Sequence, residues 1–502
     1  MQNLPTTLYN VASVVQLEQL AIQQHNIPAY TLMQRAGRAV FEVVKNHYSR
    51  CKNILVLCGA GNNAGDGYVV ARLLRLADYD VSVVSLGDPD KLKNEARQAY
   101  LDWCEAGHNY HADMAYIKKA GIIVDALLGT GLQRDVSGDW AQWIEAVNAS
   151  GKPVVSVDIP SGLYADTGVI AGSAVVAEYT VSFIGLKQGM FTAQGRDVCG
   201  EVLFDDLGVP PVIYARVPAQ ARLLRAVDHS LLPARRASSH KGNFGHVLIA
   251  GGNEGMPGAV ILAARAALRT GAGLVTILAH EKNLAAICTA VPEAMVRTVG
   301  DDADGELLEA ELVHKLTHIA VGMGMGRDAW ADTLLQYCLQ LNRPLLIDAD
   351  GLNGLAGKPV KITSPLLITP HPGEAACLLS TDDCSLGTAD IQANRFQAVR
   401  DLYARFDESR EHVVVLKGSG TLICNGEETA VCALGSAAMA APGMGDVLSG
   451  IIIALMAQGL NQGRAAELGV CLHAAAADSV SADRTRGLLA SDVIDTLPAL
   501  MQ

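Results

Sequence analysis

The feature that most constrains this chain is an alternation. Short apolar runs at residues 54–58, 81–86, 122–128, 154–158, 179–184 and 201–204 are mostly separated by segments with helical spacing. Runs of that length read as strands buried on both faces. Helix-length connections between them require right-handed βαβ units and a mainly parallel sheet. A second series occupies 246–251, 273–279, 318–322, 344–350, 366–370, 412–418 and 421–424. Between the two, residues 205–240 carry prolines and basic residues and show no clear strand, which marks a linker. A chain of 502 residues is also long for one core. The expectation is two α/β domains, residues 1–215 and 216–502, the first a Rossmann-like parallel sheet. Residues 10–50 read as amphipathic helix, with Val14, Leu17, Leu20 and Ile22, then Met33, Ala36, Val40 and Val43 after Pro28. Residues 443–460 (GMGDVLSGIIIALMAQGL) read as a glycine turn opening a long buried helix.

The net charge of −13 opposes nucleic-acid binding, which needs a cationic face. It leaves room for a small anion held by one helix start and a lysine or two. Eleven scattered cysteines without a C-x-x-C pair read as reduced, mostly buried thiols in a cytoplasm. The N-terminal MQNLPTTLYNVAS lacks the basic-then-apolar order of a signal peptide, and no apolar stretch is long enough to span a bilayer.

Residues 59–64 (GAGNNA) follow a strand and match the dinucleotide fingerprint G-x-G-x-x-G/A. Two features oppose a plain dehydrogenase. The acidic residue after the next strand, Asp88, lies late and in a turn, and Asp66 would repel a pyrophosphate at the helix start. The glycines alone could make a turn and the asparagines a helix cap. That accounts for Gly59 and Gly61 but not for Asn62, Asn63, Asp66 and Gly67 together. Two more strand ends carry an Asp before a glycine turn: Asp125 with Gly129-Thr130-Gly131-Leu132-Gln133-Arg134-Asp135, and Asp158 with Ser161-Gly162. Such loops converge at the C-terminal edge of an open α/β sheet, where ligands bind.

In the second half, the glycine turn Gly443-Met444-Gly445-Asp446 offers backbone amides to an anion, and Asp446 could accept a proton from an attacking hydroxyl. It could equally be a capped helix start. Lys417-Gly418-Ser419-Gly420-Thr421 could meet a phosphate or form an ordinary hairpin. His371 could face a ligand or make a structural hydrogen bond. Gly324 lies in a glycine-rich strand end. Asp348 and Asp350 could orient a metal-bound water or cap a helix.

The segments NNAGDGYVVAR, VDALLGTGL and VDIPSG resemble the NAD(P)HX epimerase domain. SHKGNFGHVLIAGG, VGMGMG, IDADGLN, TPHPGEA, VLKGSGT and GMGDVLSG resemble the ADP-dependent NAD(P)HX dehydratase domain of the ribokinase-like superfamily. Their order is that of bifunctional NAD(P)H-hydrate repair enzymes. The resemblance implies that Asn62, Asn63, Ala64, Gly65, Asp66 and residues 129–135 contact the hydrated cofactor, with Asp158 as acid/base. Asn63, Asp125 and Ser161 would supply oxygens to K+. In the second domain it implies that Lys417, Gly418, Ser419, Gly420, Thr421 and Gly445 hold ADP. Ala259, Gly324, His371 and Asp446 would face the hydrated cofactor, Asp446 as the base, with Mg2+ assisting. Partners would be NAD(P)HX and ADP alone, with no nucleic acid or membrane, in a cytoplasmic homo-oligomer. Ala64, Met323, Ser436, Ala438 and Pro442 depart from the usual family residues. The rival reading is a ribokinase-like small-alcohol kinase with a non-catalytic N-terminal binding domain.

Overall fold

The computed structural model describes residues 4–232, 234–301, 305–358, 362–406, 411–482 and 484–501. The chain divides into two compact units, Met1–Leu223 and Leu224–Gln502.

In the first unit the apolar runs form β1 (Asn53–Cys58), β2 (Asp80–Ser85), β3 (Ile122–Ala126), β4 (Val154–Val157), β5 (Tyr179–Phe183) and β6 (Glu201–Asp205). They lie in the order β2-β1-β3-β4-β5-β6, with every pairing parallel. Both faces are covered. Val56, Val124 and Val155 pack with the helices of one side, and Leu55, Ile123 and Val154 with those of the other. The helical N-terminal stretch resolves into two helices, Val11–His25 and Ala29–His47. The first starts where the Asn10 side chain accepts the Ser13 N–H at 2.8 Å and stops at Asn26, which is left-handed (φ 53°). Pro28 then starts the second, having no N–H to lose there.

The second unit contains β7 (His246–Ala250), β8 (Leu274–His280), β9 (Met295–Val299), β10 (His318–Val321), β11 (Leu345–Ile347), β12 (Leu366–Ile368), β13 (His412–Leu416), β14 (Thr421–Cys424) and β15 (Thr429–Cys432). Their order is β9-β8-β7-β10-β11-β12-β13-β14-β15. The pairings are parallel up to β13 and antiparallel beyond it. The glycine turn at 443 opens helix Met444–Ala457, which is buried at nearly every position, including Ile451–Met456.

Five described strands lie outside the runs read from the sequence, Thr7–Tyr9 and Leu186–Lys187 among them. Ala221–Leu224 falls inside the stretch taken as strand-free and pairs antiparallel with the short strand Thr7–Tyr9. β9 carries Arg297 and Thr298 and pairs on one side only, so it needs no apolar run. β15 is a four-residue hairpin partner of β14. Strands this short are chosen by their partner's hydrogen bonds, and period carries little signal for them.

Candidate active sites

The first unit encloses a cavity of about 1130 Å³ at the C-terminal ends of its strands. Its wall includes Asn62, Asn63, Asp66, the whole 129–135 loop and Asp158. The turn after β1 comes so close to the next loop that a Cβ on Gly59 would sit 1.8 Å from the Leu127 carbonyl oxygen. Only glycine closes that side of the cavity. Asn62 then opens helix Asn62–Leu76, which places Asp66 one turn in, partly buried. Ala64 and Gly65 turn the other way. Both are buried, and Gly65 lies against Met33 and Ala96.

Asp158 is left-handed (φ 64°), unusual for a residue with a Cβ. The backbone holds it there: its N–H donates to Val181 O at 2.8 Å, and its carboxylate accepts the Phe183 N–H at 3.1 Å. The same carboxylate pairs with Lys187. Lys187 is fully buried and also donates to Ser182 Oγ and Phe183 O, each at 3.1 Å. It stands on the two-residue strand Leu186–Lys187, which pairs in parallel with Thr7–Tyr9, so residues far apart in sequence aim its ammonium at Asp158. Glu18 and Asp66 face the same cavity. Burial, with Asp158 and Glu18 close by, raises the Asp66 carboxyl well above the usual range against the pull of Lys187. Burial and the charges of Asp158 and Glu95 likewise raise Glu18.

Asp125 and Ser161 sit behind the cavity wall, both fully buried. Asp125 accepts from Ser156 Oγ at 2.8 Å, from Ser161 N at 2.9 Å and from Ser161 Oγ at 2.5 Å. Ser161 Oγ also accepts the Leu128 N–H at 2.8 Å.

In the second unit, helix Met444–Ala457 starts after Gly443, which is left-handed (φ 82°). Its first-turn amides have no partner within the helix, and Asp446 stands among them, partly buried. A Cβ on Gly445 would lie 3.3 Å from Lys417 Nζ and 3.6 Å from Asp348 Oδ2, so the helix start and the β13 end share one small polar space. Lys417 pairs with Asp348 at 2.6 Å and lies 3.7 Å from Glu374. Asp348 also accepts from Ser449 Oγ at 2.7 Å. Burial would raise the Asp348 carboxyl, but Lys417 and the Ser449 hydroxyl outweigh it and the net shift is downward. Asp446 moves the other way. Burial and the Asp348 charge, only partly countered by Lys417, push it up to about 7. Two neighbouring carboxyls thus divide into one fixed anion and one group able to exchange a proton near neutral pH.

His371 caps helix Pro372–Leu379: its Nδ1 accepts from Gly373 N at 3.0 Å and Glu374 N at 3.2 Å, and its exposed ring pairs with Glu374 at 3.1 Å. The structural hydrogen bond weighed from the sequence is present, and the exposed edge of the ring remains accessible to a ligand. Ala259 and Gly324 are neighbours, since a Cβ on Gly324 would lie 2.9 Å from that of Ala259. Asp350 accepts the Gly326 N–H at 2.9 Å.

Residues 247–499 match the family model described as NAD(P)H-hydrate dehydratase, and residues 29–189 match the YjeF-related protein N-terminus. The bifunctional NAD(P)H-hydrate repair enzyme Nnr of Vibrio cholerae is 42% identical over 501 residues, covering 99% of both chains. The chain belongs to the bifunctional NAD(P)H-hydrate repair enzyme family. The Escherichia coli member is 40% identical over 503 residues, covering 99% of this chain and 95% of its own. A crystal structure of the ADP/ATP-dependent NAD(P)H-hydrate dehydratase from Bacillus subtilis, with ATP and Mg2+, is 29% identical. It covers 54% of this chain and 94% of that one, with a TM-score of 0.48. The Rossmann-like parallel-sheet domain followed by a ribokinase-like α/β domain, expected from the sequence, is the architecture of this repair-enzyme chain.

Seen as a repair enzyme, the chain has site residues that the sequence reading left unassigned. Lys187 and Glu18 lie outside the quoted motifs, and Glu374 and Ser449 lie inside them without a role. One signal for Lys187 was present: it is the single charge in the run FIGLKQGMF. Its purpose is visible only once Asp158 is beside it. Among the described residues, no group of three or more His, Cys, Asp or Glu could hold a metal ion. The Asn63, Asp125 and Ser161 set is of another kind. A buried carboxylate, a hydroxyl and an amide are hard oxygen donors that fit a large, weakly held cation better than a transition metal. The buried Asn63 Nδ2 has no hydrogen-bond partner, so nothing on that side of the amide competes with a ligand for its orientation.

Proposed function

We propose that this chain repairs hydrated nicotinamide nucleotides in two steps. Residues 1–215 interconvert R- and S-NAD(P)HX, and residues 216–502 dehydrate the S epimer to NAD(P)H with ADP, releasing AMP and phosphate. The observation that carries the reading is the partly buried Asp446, raised to about 7, among the first-turn amides of a long helix and beside the Lys417–Asp348 pair. Hydroxide leaves poorly, and phosphorylation turns the C6 hydroxyl into a better leaving group. Asp446 takes the hydroxyl proton as that oxygen forms a bond to the β-phosphorus of ADP, and the bond to AMP breaks. Amides at Gly445 and the Lys417 ammonium offset the charge that develops on the transferring group. The ring nitrogen lone pair then expels phosphate, and loss of a proton from C5 restores the double bond. Residues 417–421 and Gly445 hold the nucleotide; Ala259, Gly324 and His371 face the hydrated cofactor. Mg2+ would neutralise phosphate charge. The nucleotide itself would supply most of the ion's ligands, since among the described residues no group of three or more His, Cys, Asp or Glu could hold a metal ion.

In the first domain Asp158 takes the C6 hydroxyl proton as the C6–N bond opens and returns it as the ring closes on the other face, and Lys187 holds its carboxylate at the cavity wall. Asn62, Asn63, Asp66 and residues 129–135 bind the substrate, and Ala64 and Gly65 support that loop from behind. K+ at Asn63, Asp125 and Ser161 would bring positive charge to the wall of an acidic cavity. A cytoplasmic place of action is supported by the free cysteines of the described residues, and a homo-oligomer by the family resemblance alone. The small-alcohol kinase with a non-catalytic N-terminal domain is disfavoured, because it gives Asp158, Lys187 and their cavity nothing to do. The test is to supply separated epimers with ADP or ATP while following reduced-nicotinamide absorbance, AMP and phosphate. Conversion of the S epimer without AMP release, or a stable phosphorylated product, would overturn the reading.

A further inference from the structure

Arg395 is completely buried, which is rare for a guanidinium. It opens helix Arg395–Arg405 and reaches beneath the loop that joins β13 to β14. There it donates to three backbone carbonyls: Leu416 O at 3.2 Å, Lys417 O at 3.3 Å and Gly420 O at 3.4 Å. These three come from Nη2; Nη1 donates to Gln392 Oε1 at 3.1 Å. The loop has adapted to it. Gly418 is at φ 137°, and a Cβ there would sit 2.8 Å from the guanidinium. The peptide unit has a fixed consequence. In a trans peptide the carbonyl and the following N–H point in opposite directions. A Lys417 carbonyl turned down onto Arg395 therefore turns the Gly418 N–H up, to the other face of the loop. The Lys417 side chain leaves the same segment toward Asp348 and the Gly445 helix start.

From this geometry we infer that Arg395 is a positioning residue for the nucleotide: it fixes the Lys417–Gly418 peptide so that the Gly418 N–H faces the diphosphate, and it places a buried positive charge behind the loop. This rests on the proposed assignment of residues 417–421 to ADP. All three carbonyls meet Nη2, whose direction is fixed by the planar guanidinium and by the Nη1 bond to Gln392, whereas an ammonium is a single freely turning point of charge. Arg395→Lys should therefore keep the charge and lose the orientation.

The experiment uses the full chain carrying Arg395→Lys, Arg395→Met or Ser419→Asp. Dehydration is measured with ADP varied at saturating S-NADHX, and with S-NADHX varied at saturating ADP. Hydrogen exchange at the Gly418 amide is followed in parallel. Arg395→Lys is expected to lower kcat/KM for ADP by about 10- to 100-fold, mainly through KM, with KM for S-NADHX unchanged and faster Gly418 exchange. Arg395→Met should do at least as much; if it does not fold, the lysine variant carries the test. Equal losses for both substrates, or faster exchange with ADP kinetics unchanged, would overturn the inference and leave a purely structural clamp. Ser419→Asp separates the two levels. It puts a negative charge in the loop, so unchanged ADP kinetics would sink the nucleotide assignment itself. A strong ADP defect in Ser419→Asp with none in Arg395→Lys would sink the role of Arg395 alone.

Discussion

At the residue scale, the second site depends on how Asp446 and Asp348 share one lysine. Asp348 is pinned by Lys417 and Ser449 and stays ionised, which makes ionising Asp446 costly. Asp446→Asn should lower dehydration by about 10²–10⁴-fold while ADP binding, followed by titration calorimetry, is kept. Because the acting form is the carboxylate, dehydration in the wild type should fall as pH drops through about 7 and level off above it. The same shift has a sign for stability. A carboxyl whose pKa is higher folded than unfolded destabilises the fold once pH exceeds its unfolded value, and the full cost is reached above the folded value. Asp446→Asn should therefore raise Tm at pH 8 and leave it nearly unchanged at pH 4, as read by calorimetry. In the first domain, Lys187→Met removes the cation facing Asp158, Glu18 and Asp66. Epimerisation should fall by roughly 10²-fold with dehydration intact, since a positioned acid–base group contributes about that much. Asp446 and Asp158 were legible as candidates because each lies in a glycine-containing loop among other polar residues, where capping alone would not call for the whole set. Lys187 was not, because a lone lysine in an apolar run has no partner until Thr7–Tyr9 pairs beside it.

At the element scale, both sites are built from loops at strand C-termini, and each loop is held by close packing behind it. Helix Met444–Ala457 shows this most clearly. Gly450 lies so close to helix Pro257–Thr270 that a Cβ would meet the Ala263 carbonyl oxygen at 2.2 Å. Gly450→Ala should push the two helices apart and cost about 1–3 kcal/mol, the usual range for overpacking, seen as a lower denaturant midpoint. Since Asp446 rides on the same helix one turn earlier, dehydration should weaken with it and epimerisation should not. The long strands and this helix were readable because buried parallel sheets and buried helices demand continuous apolar runs. Ala221–Leu224 and β9 were not, because a strand of four or five residues is held by its neighbour's hydrogen bonds more than by its own side chains.

At the scale of the whole molecule, each unit carries its own core and its own candidate site. No disulfide joins the described residues, six of the eleven cysteines are buried, and no described helix is long and apolar enough to cross a membrane. If the hydrated nucleotide passes between sites through solvent, an equimolar mixture of full-length Asp158→Ala and Asp446→Asn chains should regenerate NADH from the R epimer with ADP. Neither variant alone should do so at a comparable initial rate. The sequence by itself determined the two α/β layouts, their order and the motifs that mark the sheet edges, because burial, turn geometry and helix starts are local demands on residue type. Tertiary structure decided which charges meet. Lys187 reaches Asp158, Lys417 reaches Asp348, and Arg395 reaches the 416–420 carbonyls only after distant strands have paired. Electrostatic coupling depends on distance and burial in space, and neither is written in the spacing of residues along a chain.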